Sequence, residues 1–268
     1  MSLRGAFADT CTCAASAGEQ SLALRSFAYQ WEIATPPRKR RRFAMTLLSE
    51  RMIMLQKLRE PVSGLTHLGG AIAAVAGQIV LLAAGWSGVE KIISVLVYGL
   101  SLIALFSASA SYHLVNAGPK VTKILRKLDH SAIFLLIAGT YTPFCLNAFS
   151  GFFRWGLLAI IWGIAAIGIL VKVFYVDAPR WLSAGVYVLM GWLCVLAAGQ
   201  MPTALTPFTL GWLITGGVIY TLGAIVYATK ILNFVPGKFG FHEVWHIFVL
   251  LGAAAHFVAV MGLILPAA

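Results

Sequence analysis

The stretch FHEVWHIFVLLGAAAHFVAVMGLIL, residues 241–265, decides the fold because it joins a polar motif to a long apolar run. It begins with H-E-x-x-H, the zinc-binding pattern of a large class of metalloproteases. On a helix, His242 and His246 lie one turn apart on the same face, so both imidazoles can reach one metal. The apolar run that follows is long enough to cross a bilayer. The stretch therefore predicts a membrane helix with two metal ligands near its start.

A metalloprotease of the soluble kind needs a third ligand close to this motif in the chain. The downstream candidate, His256, lies about 15 Å along the helix from His246, which is too far to share one metal. A third ligand must therefore come from another span. An intramembrane metalloprotease would add an acidic ligand from a later span, but no intramembrane acid follows Glu243. We therefore expect Glu243 to be a salt partner at the membrane rim, and only the second candidate for a general base.

The amino-acid composition indicates that the whole chain is a membrane protein. Of its 268 residues, 60% are hydrophobic and only 11% are charged, which is too apolar for a soluble domain of this length. The four cysteines show no paired spacing typical of a disulfide framework. They are Cys11, Cys13, Cys145 and Cys194. We predict an integral membrane protein without disulfides.

From Gly64 onward, apolar stretches of membrane-spanning length follow one another with short gaps. Pro, Gly or charged residues mark most of the boundaries between them. The predicted spans are residues 65–86, 91–113, 129–149, 152–173, 181–200, 208–230 and 242–265. Residues 61–268 are therefore predicted to form an all-α membrane domain, a bundle of seven transmembrane helices.

The Lys and Arg residues in the connections and at the span ends predict the orientation, because positive residues near span ends are retained in the cytoplasm. The segment before the first span and three alternate connections hold 18 of the 20. Only Lys91 and Arg154 lie on the opposite side. The N-terminus is therefore predicted to be cytoplasmic and the C-terminus extracytoplasmic. The net charge of +11 follows from this topology and predicts no nucleic-acid partner, since no basic domain carries it.

Residues 1–60 differ from the rest because they are polar and basic, with the run PPRKRRR at residues 36–42. A basic segment beside a membrane can bind anionic lipid headgroups. The alternative is a disordered extension, in which case the functional chain begins at Met45 or a nearby Met. Of the two, we expect the disordered extension. A chain expressed from Met45 that failed to insert into the membrane would contradict it.

Ionisable residues inside a membrane are costly to bury and are therefore the first candidates for function. Ser109 and His113 lie one turn apart at the cytoplasmic end of the second span, and Asp129 begins the third. His242 and His246 begin the seventh span, again on the cytoplasmic side. Three helices thus bring these five side chains to one depth, which predicts a shared site.

Three imidazoles and a water molecule form a donor set of catalytic zinc sites, whereas structural sites have four protein ligands. We therefore predict a zinc ion (Zn2+) on His113, His242 and His246, with Asp129 near the water. Zinc lowers the pKa of a bound water to about 7, so that it can attack a lipid carbonyl at this depth. The alternative for each histidine is a helix cap or a hydrogen bond to a backbone carbonyl. For His67, at the start of the first span, a helix cap and a hydrogen-bonding neighbour of the site both stay open.

Three segments resemble the signature regions of a known family. They are SASASYH at residues 107–113, KLDHSAIFLLIAGTYTPF at residues 127–144 and FVPGKFGFHEVWHIFVLLGAAAHF at residues 234–257. In order and spacing they are similar to the hemolysin III branch of the progestin and adipoQ receptor family. The resemblance begins at LREPVSGLTHLGG, residues 58–70. It implies seven spanning helices with a zinc ion on the cytoplasmic side.

The resemblance also implies roles for individual residues. His113, His242 and His246 match the family's three zinc-binding histidines. Asp129 matches the acid that contacts the zinc-bound water, and Ser109 matches the serine of an S-x-x-x-H motif. The family is similar to alkaline ceramidases in these motifs, which implies hydrolysis of lipid amides. Its bacterial branch implies an inner-membrane location, and it is linked both to haemolysis and to control of membrane lipid state.

Three functions from different classes follow as hypotheses. The first is a zinc-dependent hydrolase of lipid acyl amides or esters, with Asp129 and Ser109 in catalysis. The second is a non-catalytic sensor or regulator of bilayer state, in which zinc ties three helices together. The third is a pore-forming cytolysin, although the spans lack the charged, water-lining stripe of a channel. Membrane lipids are the expected partners.

Overall fold

The computed structural model describes residues 58–84, 88–235 and 239–265 of the chain. Nearly all of the predicted N-terminal segment, residues 1–57, lies outside these ranges. Its disorder and a functional start at Met45 therefore stay predictions. The described residues are helical apart from their connections and one antiparallel bridge between Val235 and Phe239.

Seven long helices follow one another along the described ranges. They are α1 (Pro61–Ala84), α2 (Val89–Leu114), α3 (Pro119–Asn147), α4 (Phe152–Phe174), α5 (Arg180–Trp192), α6 (Pro207–Thr229) and α7 (Phe241–Ile264). A 3-10 helix, Leu193–Ala197, continues α5, and a single helical turn, Met201–Ala204, precedes α6. Most of these bounds lie within a few residues of the predicted spans.

Six of the long helices are long and apolar enough to cross a membrane: α1, α2, α4, α5 with its 3-10 extension, α6 and α7. Their outer faces carry large aliphatic side chains such as Ile79, Ile167 and Leu189, which are more than half exposed. A soluble protein rarely exposes so much apolar surface, whereas lipid tails solvate it well. The prediction of an all-helical membrane protein is confirmed. The count of seven spans and the orientation of the termini stay predictions.

Helix α3 is the long helix that falls outside this group, and its first third is basic and polar. It begins at Pro119, where proline's missing N–H is not needed, ten residues before the predicted span of residues 129–149. The early turns carry Lys120, Lys123, Arg126 and Lys127. The predicted span marks the apolar run, and the helix extends beyond it on the N-terminal side. At 1.5 Å per residue, the 29 residues of α3 extend about 44 Å, more than a bilayer core of about 30 Å.

Tyr141 of α3 explains why α5 changes to a 3-10 helix after Trp192. The Tyr141 hydroxyl lies 2.7 Å from the Gly191 carbonyl oxygen and 3.0 Å from that of Met190. The same hydroxyl accepts a hydrogen bond from the Cys194 backbone N–H at 2.7 Å. The Tyr141 hydroxyl therefore takes the place of backbone hydrogen bonds that these carbonyls and this N–H would have made in a continued α-helix. The result is a local change of helix type beside the interior cavity.

The packing order of the helices brings distant parts of the chain to one end of the bundle. Helix α1 packs on α2, α2 on α3, and α7 on both α6 and α1. Close approach of α6 to α7 depends on Gly216, because a Cβ at this position would clash with the ring of His256. The end of α2, the beginning of α7 and the Asp129 region of α3 consequently meet.

Candidate metal centre

Three histidines from two helices converge at this end of the bundle. His113 lies in the last turn of α2, and His242 and His246 lie in the first two turns of α7. One ring nitrogen of each lies within 4.8 Å of the other two. Nε2 of His242 is 3.2 Å from Nε2 of His246. The structure thus brings together the three histidines that the sequence predicted as ligands.

The donor set of this cluster fits a zinc ion. With Zn–N distances of about 2.0–2.1 Å in tetrahedral coordination, two ligand nitrogens are about 3.3 Å apart. The separation between His242 and His246 is close to this value. Among the described residues only three side chains form the group, which would leave a fourth position for water. The cluster could therefore hold a metal ion, and zinc remains the predicted one.

Asp129 and Ser109 lie beside the histidines without joining the ligand group. Asp129 is buried on α3, and Ser109 is buried on α2. Both side chains line the same cavity as His242 and His246. A carboxylate in this place is suited to orienting a water molecule near the metal position, and less suited to binding the metal itself. The role of these two residues stays a prediction.

A second carboxylate, Glu60, reaches the cluster from the residues before α1, and the sequence analysis missed it. Its Oε2 lies 2.5 Å from Nδ1 of His113. The hydrogen bond with His113 lowers the pKa of Glu60 to about 2, so the carboxylate is ionised at neutral pH. Glu60, Ser63 and His67 are three and four residues apart, the spacing of one helical face. That spacing in LREPVSGLTHLGG is the signal that could have found Glu60.

His67 lies in the interior of the site and is not an exposed helix cap. Its side chain is buried, and its ring centroid is 3.9 Å from that of His246. The ring also packs edge-on against Phe106, at 5.2 Å between centroids. Neither ring nitrogen has a hydrogen-bond partner within the part of the chain that the structure describes. His67 therefore lies beside the site, but the hydrogen bond expected of such a neighbour is not formed among the described residues.

Glu243, the acid of the H-E-x-x-H motif, caps α7. Its Oε2 accepts a hydrogen bond from the Gly240 backbone N–H at 2.8 Å, and its Oε1 accepts one from the Ser63 hydroxyl at 3.4 Å. The salt bridge that we expected at the rim is not formed within residues 58–84, 88–235 and 239–265. The expectation of a salt bridge to a residue outside these ranges therefore stays a prediction. Within the described residues Glu243 acts as a helix cap, because the first turn of a helix has free N–H groups and this carboxylate binds the one that starts α7.

We expect Glu243→Ala to lower stability modestly and to leave the metal bound. Loss of a helix cap costs about 1 kcal/mol, or roughly 2–4 °C in the unfolding temperature of a chain of this size. Thermal unfolding and metal analysis of the purified variant would measure both effects. Glu243→Gln is the matched control, since its amide oxygen can still accept from Gly240. If Glu243→Gln lost the metal or its hydrolytic activity, Glu243 would act at the metal as the general base of H-E-x-x-H does in proteases.

A cavity of about 390 Å³ extends from the histidines into the bundle. Aliphatic and aromatic side chains of α3, α5, α6 and α7 form most of its wall. His246 and His256 both line it, which makes it at least about 15 Å long in the direction of α7. His256 lies too deep to join the metal group, and its Nε2 is 3.2 Å from the Leu213 carbonyl oxygen. The size is typical of a small-molecule site.

Comparisons with known proteins cover the whole of this site. A family model described as haemolysin-III related matches residues 55–257. The chain is 38% identical over 225 residues to Hemolysin-3 of Bacillus cereus, an alignment that covers 82% of this chain and 100% of that protein. It is 36% identical over 204 residues to the Hemolysin-3 homolog of Bacillus subtilis (strain 168), covering 75% of this chain and 92% of the homolog. The human monocyte to macrophage differentiation factor is 28% identical over 203 residues, or 73% of this chain and 80% of that protein.

Proposed function

Because the chain belongs to the haemolysin-III-related family, within the progestin and adipoQ receptor family, we propose that it is a metal-dependent membrane hydrolase of lipid acyl amides or esters. The observation that carries the proposal is the cavity that joins the histidine cluster to an apolar interior. An acyl lipid needs both environments, a polar end for its carbonyl group and an apolar wall for its chain.

The residues at the polar end suit hydrolysis of a carbonyl compound. A zinc ion held by the three histidines would polarise the carbonyl and lower the pKa of a water molecule to about 7. Asp129 would accept the proton of the attacking water and deliver it to the leaving amine or alcohol, as the C–O bond forms and the old acyl bond breaks. Ser109, which lines the same cavity, would donate a hydrogen bond to the Asp129 carboxylate. Exclusion of bulk water strengthens these interactions.

The path by which a lipid chain would enter lies between α5 and α6. Val195 and Ile214 line the cavity and are also more than half exposed on the outer face of the bundle. The Trp192 indole N–H donates a hydrogen bond to the Thr221 hydroxyl at 2.9 Å and joins the same two helices beside this path. An acyl chain could therefore pass from the bilayer into the cavity without crossing water.

The test is release of fatty acid by the purified, zinc-loaded protein. Detergent micelles or vesicles that contain N-acyl and O-acyl lipids should yield free fatty acid, measured by mass spectrometry, and the chelated protein should yield none. Absence of turnover with every lipid class, at full zinc occupancy, would contradict the proposal.

A cavity variant is the matched control for this assay. Ala224 is buried on α6 and lines the cavity between Tyr220 and Tyr227. Ala224→Phe should slow hydrolysis of long acyl chains roughly tenfold or more, because the larger ring occupies the space of the chain. Ile167→Phe, on the outer face of α4, should leave the rate unchanged. Both variants should keep their zinc.

A non-catalytic sensor with a structural metal is the second candidate, and one packing feature favours it. Helices α2 and α7 each pack on α1 but have little direct contact along their described lengths. A metal shared by His113, His242 and His246 would be the main link between these two helices. In that case His113→Ala should lower the unfolding temperature, while neither the variant nor the wild type changes any lipid. Zinc binding by wild type without turnover would select this candidate.

A further inference from the structure

We propose that Glu60 is a positioning residue of the metal centre, which orients His113 and fixes its tautomer through the hydrogen bond at Nδ1. This inference rests on the metal site of the proposed function but not on hydrolysis. Glu60 Oε2 is 2.5 Å from Nδ1 of His113. The backbone N–H of Glu60 also donates to the backbone carbonyl of His113 at 2.9 Å. Two independent bonds therefore join the same pair of residues.

The bond at Nδ1 determines which nitrogen of His113 can bind a metal. A carboxylate accepts only from a protonated ring nitrogen, so Nδ1 carries the hydrogen and Nε2 is left with its lone pair. Because Glu60 occupies Nδ1, Nε2 is the nitrogen of His113 available to the cluster, whose ring centroids lie 5.1 Å (His242) and 4.6 Å (His246) from that of His113. A carboxylate on the far nitrogen also makes the imidazole a stronger donor to the metal.

Glu60 is itself held in place from two sides. Its Oε1 pairs with Arg59 Nη2 at 3.3 Å, and the Arg59 guanidinium lies over the Tyr112 ring at 4.1 Å from the centroid. On the other side, Gly64 lets the start of α1 approach the end of α2, since a Cβ there would clash with the side chain of Leu114. The carboxylate thus has a defined position relative to α2.

The same end of α1 supports the other two ligands. Ser63 donates to Glu243 at the start of α7, and His67 packs against His246. Glu60, just before α1, and Ser63 and His67 within it therefore lie on one side that faces both ligand-bearing helices. Glu60 differs from the other two because it is the one of the three in hydrogen-bonding distance of a ligand ring.

Metal affinity of Glu60 variants tests the proposal independently of turnover. Titration of the metal-free, full-length protein with Co²⁺ and with Zn²⁺ should show Glu60→Ala binding about 10–100-fold more weakly than wild type. Glu60→Gln should bind within about threefold of wild type, because its amide oxygen can accept the same hydrogen bond. The visible absorption of bound Co²⁺ should change in Glu60→Ala and stay near that of wild type in Glu60→Gln.

The control carboxylate is Glu90, which pairs with Arg154 at the opposite end of α2, about 35 Å from His113. Glu90→Ala should bind metal as wild type does. Equal affinity of Glu60→Ala and wild type would overturn the proposal, as would equal weakening in Glu60→Ala and Glu60→Gln. If Glu60→Ala does not fold, Glu60→Asp replaces it. The shorter side chain should not hold His113 in place, so this variant should also bind metal more weakly. A wild type that binds no metal would instead overturn the proposed function.

Discussion

His242→Ala is expected to remove the metal from the protein. Purified wild type should hold about one zinc per chain, and the variant essentially none after dialysis. The binding free energy of Zn²⁺ at a four-ligand site is about 10–16 kcal/mol, or roughly 3 kcal/mol for each ligand. Loss of one ligand should therefore lower the affinity for zinc by a factor of more than about a hundred. The loss should be larger here because the cluster begins with only three ligands. Elemental analysis of both proteins, with protein concentration measured in parallel, gives the ratio.

His256→Ala is the control for this experiment. His256 lies on the same helix and lines the same cavity, but it is outside the metal group. This variant should keep its zinc even if it unfolds at a lower temperature. Absence of metal in the wild type would contradict the hydrolase mechanism. One full zinc per chain in His242→Ala would show that the metal binds at another site.

Asp129→Asn is expected to abolish most of the hydrolysis while the metal stays bound. Asparagine has the same shape as aspartate but cannot accept a proton from water at neutral pH. A positioned general base contributes about 10²–10⁴-fold to a rate, so fatty-acid release should fall by a factor in this range. Zinc content should equal that of wild type, because Asp129 is not part of the ligand group.

Asp177→Asn is the matched control for that variant. Asp177 is an exposed acid in the connection before α5, where it pairs with Arg126 at 2.6 Å. Its change should leave both the rate and the zinc unchanged. Two outcomes would contradict the assignment of Asp129: a rate within threefold of wild type, or loss of zinc together with the rate, which would make Asp129 a ligand.

The helices show how much of this fold is readable from the sequence. The spans were predictable because lipid leaves each segment few choices: about 20 apolar residues that satisfy their own backbone hydrogen bonds. The exception, α3, begins ten residues before the predicted boundary at residue 129. Apolarity marks where a helix is buried in lipid, and a helix that continues beyond that depth gives no such signal. Pro119, at the first helical position, was the available sign of its start.

The histidines and the carboxylates of the site contrast in the same way. His113, His242 and His246 could be predicted because ionisable residues are rare in apolar spans, and because i, i+4 spacing puts two of them on one face. The roles of Glu60 and Glu243 could not be predicted, since an acid at the end of a helix can cap, pair with a cation or contact a ligand. Glu243, which the motif singles out, became a helix cap, and Glu60, which no motif singled out, became the partner of His113.

The sequence by itself determined a helical membrane protein, its family and the three histidines that can hold a metal. Only the tertiary structure decided which acid lies against which imidazole and that an apolar cavity begins at the metal centre. The reason is physical. Composition and spacing act within one helix, whereas Glu60 and His113 are 53 residues apart and meet only because α1 packs against α2 at a place where Gly64 permits close approach.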